Sequence, residues 1–263
     1  MAGHGYKKTI KLMMHDFCSD IKLKGDAKVI NEQILSWFKN KYPNVKESSI
    51  RAHLIAMSIN ARSRIHHNVK PGSGHDLFYQ IDSKTYRLYD AEKDPPPIYK
   101  QDEGDSVEIG LNNEDEEDST ESSEFVFEKD LQNFLVKNLH LIEAELKLYE
   151  NEGITGVEYP VGNRFIDILA VDNQNQLVVI ELKVSKGYDR VVGQLLRYMA
   201  WIEKNLAEEF QAVRGIIIAK HISEDLKLAC SKLPDIKLME YELSVKLHTL
   251  NESSGGNKGM AVS

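Results

Sequence analysis

Residues 101–124 divide this chain of 263 residues. The run QDEGDSVEIGLNNEDEEDSTESSE holds 11 acidic residues and no basic one. Such a segment repels itself and has too little apolar surface to bury, so a disordered, extended spacer is expected. Just ahead of it, Asp94-Pro95-Pro96-Pro97 stops regular structure, because proline lacks the amide donor and restricts the residue before it. The fold must then be built from two stretches: a head at 1–98 and a body at 125–250. Residues 99–124 form the linker, and 251–263 read as a frayed tail.

This division changes what the formal net charge of -8 means. Residues 1–100 carry 17 basic against 10 acidic side chains and six of the nine histidines, whereas residues 125–263 carry 16 against 20. A basic head suits a polyanion, and DNA is the expected partner. No apolar run approaches the ~20 residues needed to cross a bilayer, and the first residues lack the apolar stretch of a secretory signal. Cys18 and Cys230 form no paired motif, which excludes a cysteine zinc site and suits a reducing cytoplasm.

In the head, the spacing of Ile10, Met13, Met14 and Phe17 predicts a first helix, and Ile30, Ile34, Leu35 and Phe38 a second over Val29–Lys41. Ser48 reads as the N-cap of a third, with Ile50, Leu54 and Met57 inward and Arg51, His53, Ser58, Asn60 and Arg62 outward; Arg64 lies just beyond. Two alternating aromatic runs around Asp82-Ser83-Lys84 predict a hairpin. Three helices and a hairpin make a small winged-helix-like α+β domain, in which the third helix would enter the major groove. On that reading Arg51, Asn60, Arg62 and Arg64 are the DNA-binding candidates. The stretch from Val29 to Tyr89 resembles the helix-turn-helix modules at the front of predicted restriction endonucleases. The adjacent His66 and His67 point apart on an extended chain and make a poor metal site.

The body reads α-β-β-β-α-β-α-β, an α/β domain with a mixed sheet flanked by helices. Its chemistry lies in Arg164–Val171 (RFIDILAV) and Leu177–Val184 (LVVIELKV), apolar strands broken by Asp167, Glu181 and Lys183. If the intervening loop closes on a Val171–Leu177 pair, Asp167 stands directly opposite Glu181, with Cβ atoms about 5 Å apart. Lys183 then shares the face of Glu181. Opposed carboxylates in a buried sheet are destabilising unless a cation joins them. Two acids as metal ligands, with room for water, suit Mg²⁺ or Mn²⁺ rather than zinc. A one-residue slip in register would put the acids on opposite faces. In the helix that follows, Arg190, Gln194, Arg197, Tyr198 and Trp201 share one polar-aromatic face, and Val191, Leu195, Met199 and Ile202 form the core face. Lys220 and His221 end a later strand and read as solvated.

The string Asp167-x13-Glu181-x-Lys183 resembles the PD-(D/E)xK nuclease motif. The longer pattern RFIDILAVD, LVVIELKV and DRVVGQLLRYMAWI, within Phe125–Leu243, resembles the nuclease domain of the archaeal NucS/EndoMS endonucleases. Gln194-x3-Tyr198 resembles the QxxxY helix motif of RecB-like nucleases. The resemblance implies a restriction-endonuclease-like fold, with Asp167 and Glu181 as metal ligands and Lys183 orienting water or stabilising charge. Gln194 and Tyr198 would support the site or touch DNA backbone beside Arg190 and Arg197. Glu128 would be the acid of the first helix, with Asp130 as the alternative. Ile166 stands where the motif has proline. NucS proteins carry a β-rich domain ahead of the nuclease, whereas this head is helical.

The expectation is a Mg²⁺-dependent DNA endonuclease of restriction type, sequence-specific through its head. A repair or structure-specific nuclease is the alternative, and an inactive DNA-binding regulator is a further one. A homodimer is left open. A flexible linker of ~24 residues spans about 27 Å, so the body would cut away from the bases the head reads.

Overall fold

A computed structural model describes residues 5–100, 119–162, 164–183 and 188–242; side-chain surroundings are not described for 119–127, 188 and 189. Most of the acidic linker, and the tail, therefore lie outside the described residues.

The head contains α1 (Ile10–Asp20), β1 (Val29–Ile30), α2 (Asn31–Lys41), α3 (Glu47–Ala56), a 3-10 turn (Arg62–His66), β2 (Phe78–Gln80) and β3 (Thr85–Leu88). Thr9 caps α1, its hydroxyl accepting from the Leu12 amide at 3.4 Å. The expected hairpin forms: Asp82 Oδ1 accepts from the amides of Lys84 and Thr85 at 2.8 and 2.9 Å and holds the turn. Ile10, Met13, Phe17, Ile34, Phe38, Ile50 and Leu54 pack into one core with Phe78 and Tyr86.

Two head boundaries differ from expectation. Val29–Ile30 pairs with β3, so the second helix starts at Asn31 and Ile30 is exposed. The third helix stops at Ala56 rather than running on towards Arg64. Beyond it, Met57 O accepts the amides of Leu77 and Phe78, and the Ile59 amide donates to Phe78 O; the chain has joined the hairpin. Ser48 does not cap α3, and its hydroxyl donates to Asn205 O in the body at 2.8 Å.

The body contains α4 (Ser119–Lys137), β4 (Lys147–Leu148), β5 (Glu150–Asn151), β6 (Ile154–Thr155), β7 (Val157–Val161), β8 (Arg164–Val171), β9 (Leu177–Lys183), α5 (Tyr188–Asn205), β10 (Val213–Ala219), α6 (Glu224–Cys230) and β11 (Ile236–Glu240). The helix α4 starts earlier than the expected Phe125, inside the stretch read as linker. The main sheet runs β11-β10-β9-β8-β4, with β7 also on β8. The β9–β10 and β10–β11 pairs are parallel and the others antiparallel, so the sheet is mixed.

Both faces of this sheet are covered, which is why its strands read as nearly unbroken apolar runs. Leu131 and Leu135 of α4 cover Ile168, Val178, Ile180 and Ile216 on one face. On the other, Val191, Leu195, Met199 and Ile202 of α5 cover Leu169, Val179 and Ile217. Gly215 permits this approach, since a Cβ there would lie 2.7 Å from Leu195 Cδ2 and 2.8 Å from Met199 Sδ.

The head is docked on the body. Ala52, Ala56 and Val69 are part of the α5-side core. His53, expected to face outward, is 1% exposed and lies 3.5 Å from Glu152 of the body. The Ile10 amide donates to Glu152 Oε2 at 2.8 Å, and Lys46 Nζ to Ala207 O at 3.1 Å. One face of α3 is thus occupied by the body. The expectation of a head joined to the body by a flexible tether alone is corrected: apolar burial joins them directly.

Candidate active site in a cleft between head and body

The β8–β9 ladder pairs Val171 with Leu177 and Ile168 with Ile180, the register that the loop length implies. Asp167 and Glu181 stand one position beyond the last pair, and there the strands part. β8 continues along β7, with Ile166 opposite Tyr159 and Phe165 opposite Pro160. β9 continues along β10, with Glu181 opposite Ile217 and Lys183 opposite Ala219. The two acids therefore sit where the sheet forks.

Each carboxylate is fixed. Asp167 Oδ2 accepts from the Leu182 amide at 2.7 Å. Glu181 is 1% exposed; its Oε1 accepts from Lys183 Nζ at 2.9 Å and from the Gln194 side-chain amide. Gln194 Nε2 also lies 3.2 Å from the buried Tyr198 hydroxyl, one helical turn on. Glu181 Oε2 is buried with no hydrogen-bond partner among the described residues.

Burial pushes both carboxyls above their ordinary range. For Glu181 the Asp167 charge adds to burial while Lys183 opposes it; for Asp167 the Glu128 and Glu158 charges add to burial, against the Leu182 amide and Lys183. Burial works against the Lys183 ammonium too, but Glu181 and Asp167 outweigh it and raise its pKa.

Of the two candidate acids on α4, Glu128 is the one near the pair. It is half-buried and acts on the charges of Asp167 and Glu181, whereas Asp130 is exposed. One turn along α4, the buried Gln132 donates to the Asp167 carbonyl at 2.8 Å.

The site opens into a cleft of about 1070 Å³. Arg51, Leu54, Ile55 and Arg62 line it from the head, and Glu128, Lys129, Phe165 and Asp167 from the body. The other two head candidates are corrected. Asn60 is committed to the hairpin, giving its amide to Gln80 O at 2.8 Å and accepting the Gln80 amide at 2.9 Å. Arg64 is fully buried: Nε donates to Ala56 O at 2.9 Å, Nη2 pairs with Asp76, and the guanidinium lies 5.0 Å from the Tyr99 ring centroid. Asn60 is half-buried and Arg64 buried because the chain after Ala56 turns into the hairpin instead of extending the helix. Arg190 and Arg197 are exposed on α5, as are Lys220 and His221 at the end of β10.

The donor chemistry fits a hard cation. Two carboxylates face one fork, both above their ordinary pKa, and one buried oxygen is unsatisfied. Among the described residues no group of three histidine, cysteine or acidic side chains is gathered closely enough to hold an ion alone. The protein would then supply Asp167 and Glu181, leaving the other positions to water and substrate oxygens, as hard oxygen-seeking cations accept.

Sequence reasoning missed Gln132, Lys129 and Glu158. Gln132 carried a local signal, since it lies four residues after Glu128 on one helix face.

A mixed sheet flanked by helices, with the acid pair at its fork, is consistent with the PD-(D/E)xK superfamily. Residues 127–257 match the family model described as Endonuclease NucS C-terminal domain, and residues 9–88 match a domain of unknown function, DUF7669. Endonuclease NucS of Pyrococcus abyssi is 30% identical over 106 residues, 40% of this chain and 38% of that protein. That of Sulfolobus acidocaldarius is 33% identical over 120 residues, 46% and 43% of the two chains. This chain thus spans less than half the length of these relatives. A repair endonuclease structure from Pyrococcus abyssi aligns with a TM-score of 0.37 at 27% identity, over 49% of this chain and 50% of that one. A complex of EndoMS with double-stranded DNA aligns with a TM-score of 0.36 at 18% identity, over 61% and 53%. The body, over residues 127–257, is similar to the C-terminal domain of NucS endonucleases. No helix among the described residues is long and apolar enough to cross a membrane.

Proposed function

We propose that this protein is a Mg²⁺-dependent DNA endonuclease whose cleft both receives the DNA and holds the cutting residues. The observation that carries this reading is the Asp167–Glu181 pair at the sheet fork, with Glu181 Oε2 unsatisfied beside Lys183. Asp167 and Glu181 would hold the cation, and Mn²⁺ suits the same donors. When bound, the cation supplies Lewis acidity at a phosphate oxygen and lowers the pKa of water. The Leu182 amide and the Gln194 side chain hold the two carboxylates in place. Lys183 offsets charge that develops on the phosphate, and Glu128 adds a third acid at the rim. Arg51 and Arg62 bind backbone phosphates along the cleft, with Arg190 and Arg197 extending the contact outside it.

The restriction-type reading rests on the head lining the same cleft as Asp167, which would put any bases touched from the head side beside the bond cut. The repair-type reading is favoured by the packing of α3 against the body, which takes from that helix a face a groove-reading helix would need. Digestion of plasmid DNA with Mg²⁺ separates them. Discrete fragments support sequence specificity, and cutting confined to branched or mispaired DNA supports repair. No cutting of any DNA with Mg²⁺ or Mn²⁺ overturns the nuclease reading.

A further inference from the structure

Glu158 joins three elements from both parts of the molecule. It lies on β7 between Val157, paired with Ile168, and Tyr159, paired with Ile166, and so stands directly across from Asp167. Its backbone is left-handed, with φ +47°. A side-chain-bearing residue keeps that conformation only where its surroundings hold it, and such positions concentrate at functional sites.

Its surroundings do hold it. Ser63 Oγ, from the 3-10 turn of the head, donates to Glu158 Oε2 at 2.6 Å. Lys129 Nζ, from α4, donates to Oε1, and His66 Nε2 lies 3.5 Å from the same oxygen. Lys129 Nζ is also 3.2 Å from His66 Nε2. The 3-10 turn is tied to the body by Thr155 Oγ1, which donates to His66 O at 2.6 Å. Burial alone would raise the Glu158 carboxyl; the bonds from His66, Lys129 and Ser63 hold it well below the usual range, so it stays an anion.

Lys129 is the residue directly after Glu128. With Gln132 bonded to the Asp167 carbonyl, this turn of α4 is fixed at two points, one on the catalytic strand and one on Glu158. We propose that Glu158 is a positioning residue that clamps the Glu128 turn of α4 to the head, so that the third acid meets the Asp167–Glu181 pair only while the head is seated. The proposal rests on the nuclease reading for its catalytic consequence. Its mechanical part, the clamp, stands apart from that reading.

The test uses the full chain and the variants Glu158→Gln, Ser63→Ala, Lys129→Ala and Lys129→Arg. Two quantities are measured: cleavage kinetics with Mg²⁺, and amide hydrogen exchange across residues 128–132. Glu158→Gln and Lys129→Ala should each lower kcat about tenfold or more with KM within about twofold, the pattern of a lost second layer around a site. Lys129→Arg should retain most of the rate. The Glu158→Gln/Lys129→Ala pair should be no worse than either alone, since both break one clamp. Exchange at 128–132 should rise in Glu158→Gln while β8 and β9 stay protected. Ser63→Ala removes one bond only and should give the same changes in smaller degree, which keeps the test alive if Glu158→Gln fails to fold. Unchanged exchange in the variants, wild-type kcat, or losses that multiply in the pair would overturn the clamp. A wild-type chain that cuts nothing would instead overturn the nuclease reading, and the exchange result would still decide the clamp.

Discussion

Arg64 in the head and Glu181 in the body are almost equally hidden from water, at 0% and 1% exposure, yet their surroundings differ in kind. Around Arg64, Nε meets the Ala56 carbonyl, Nη2 meets Asp76 and Tyr99 lies over the guanidinium, while Nη1, like Glu181 Oε2, has no hydrogen-bond partner among the described residues. Around Glu181, Oε1 also has a cation, Lys183 Nζ at 2.9 Å, but a second carboxylate stands one strand away and Oε2 has no hydrogen-bond partner among the described residues. A buried charge matched by its opposite is architecture: it fixes where the chain turns after α3. A buried charge that also faces its like is a cost that one lysine offsets only in part, and groups perturbed in this way mark a candidate functional site. Glu158, across from Asp167, makes the same point within the body. It too is an acid among acids, but Lys129, His66 and Ser63 have claimed it.

The largest expected effect tests the body side of this contrast. Asp167→Ala or Glu181→Ala should lower cleavage about a thousandfold, the rate equivalent of several kcal/mol of charge stabilisation. Glu181→Gln should also raise the melting temperature in the absence of metal, because it relieves like-charge burial. Substantial cleavage by either alanine variant would break the comparison at its centre.

Arg64→Ala should be the matching loss in the head, about 3 kcal/mol in urea unfolding, at the low end for a broken buried pair because Asp76 reaches solvent. DNA affinity of the folded protein should stay unchanged. Unaltered stability together with weaker DNA binding would return Arg64 to the role of a DNA contact.

Acid and base should act on the two parts with opposite sign. Burial is the main cause that takes His67 down to about 3 and His75 down to about 4, so the folded head refuses protons that the unfolded chain accepts. Their contribution is present above the ordinary histidine value and is lost as pH falls below it. For His67 the loss amounts to about 2 kcal/mol at pH ~5. The raised carboxyls of Asp167 and Glu181 run the other way. Without metal, the stability they contribute is present at acid pH and is lost as pH rises from ~4 through their folded values. Unfolding measured against pH, with His67→Gln and Glu181→Gln, should flatten the acid limb and the neutral limb respectively. An acid limb unchanged in His67→Gln would show that this histidine is not held neutral.

The smallest effect concerns the cleft that both parts line. Arg51→Ala and Arg62→Ala should each weaken DNA binding several-fold and reduce the slope of log affinity against log salt by about one. A slope unchanged by both would mean that DNA does not pass between head and body.

Several features were set by the sequence itself. A five-residue loop and two strands buried on both faces leave one register that puts Asp167 and Glu181 on a shared face, because a one-residue slip would turn every side chain over. The helical period of Val191, Leu195, Met199 and Ile202 specified which side of α5 meets the sheet, and with it the side that offers Gln194 to Glu181. Tertiary structure alone decided the rest. The docking of α3 on α5, the commitment of Asn60 to the hairpin, the burial of Arg64, and the meeting of Ser63, Lys129 and Glu158 join residues far apart in the chain. The same sequence pattern suits a helix facing DNA or one facing another domain. Local periodicity encodes which face of an element is apolar, but not which distant surface will cover it, and that choice is made only when the whole chain packs.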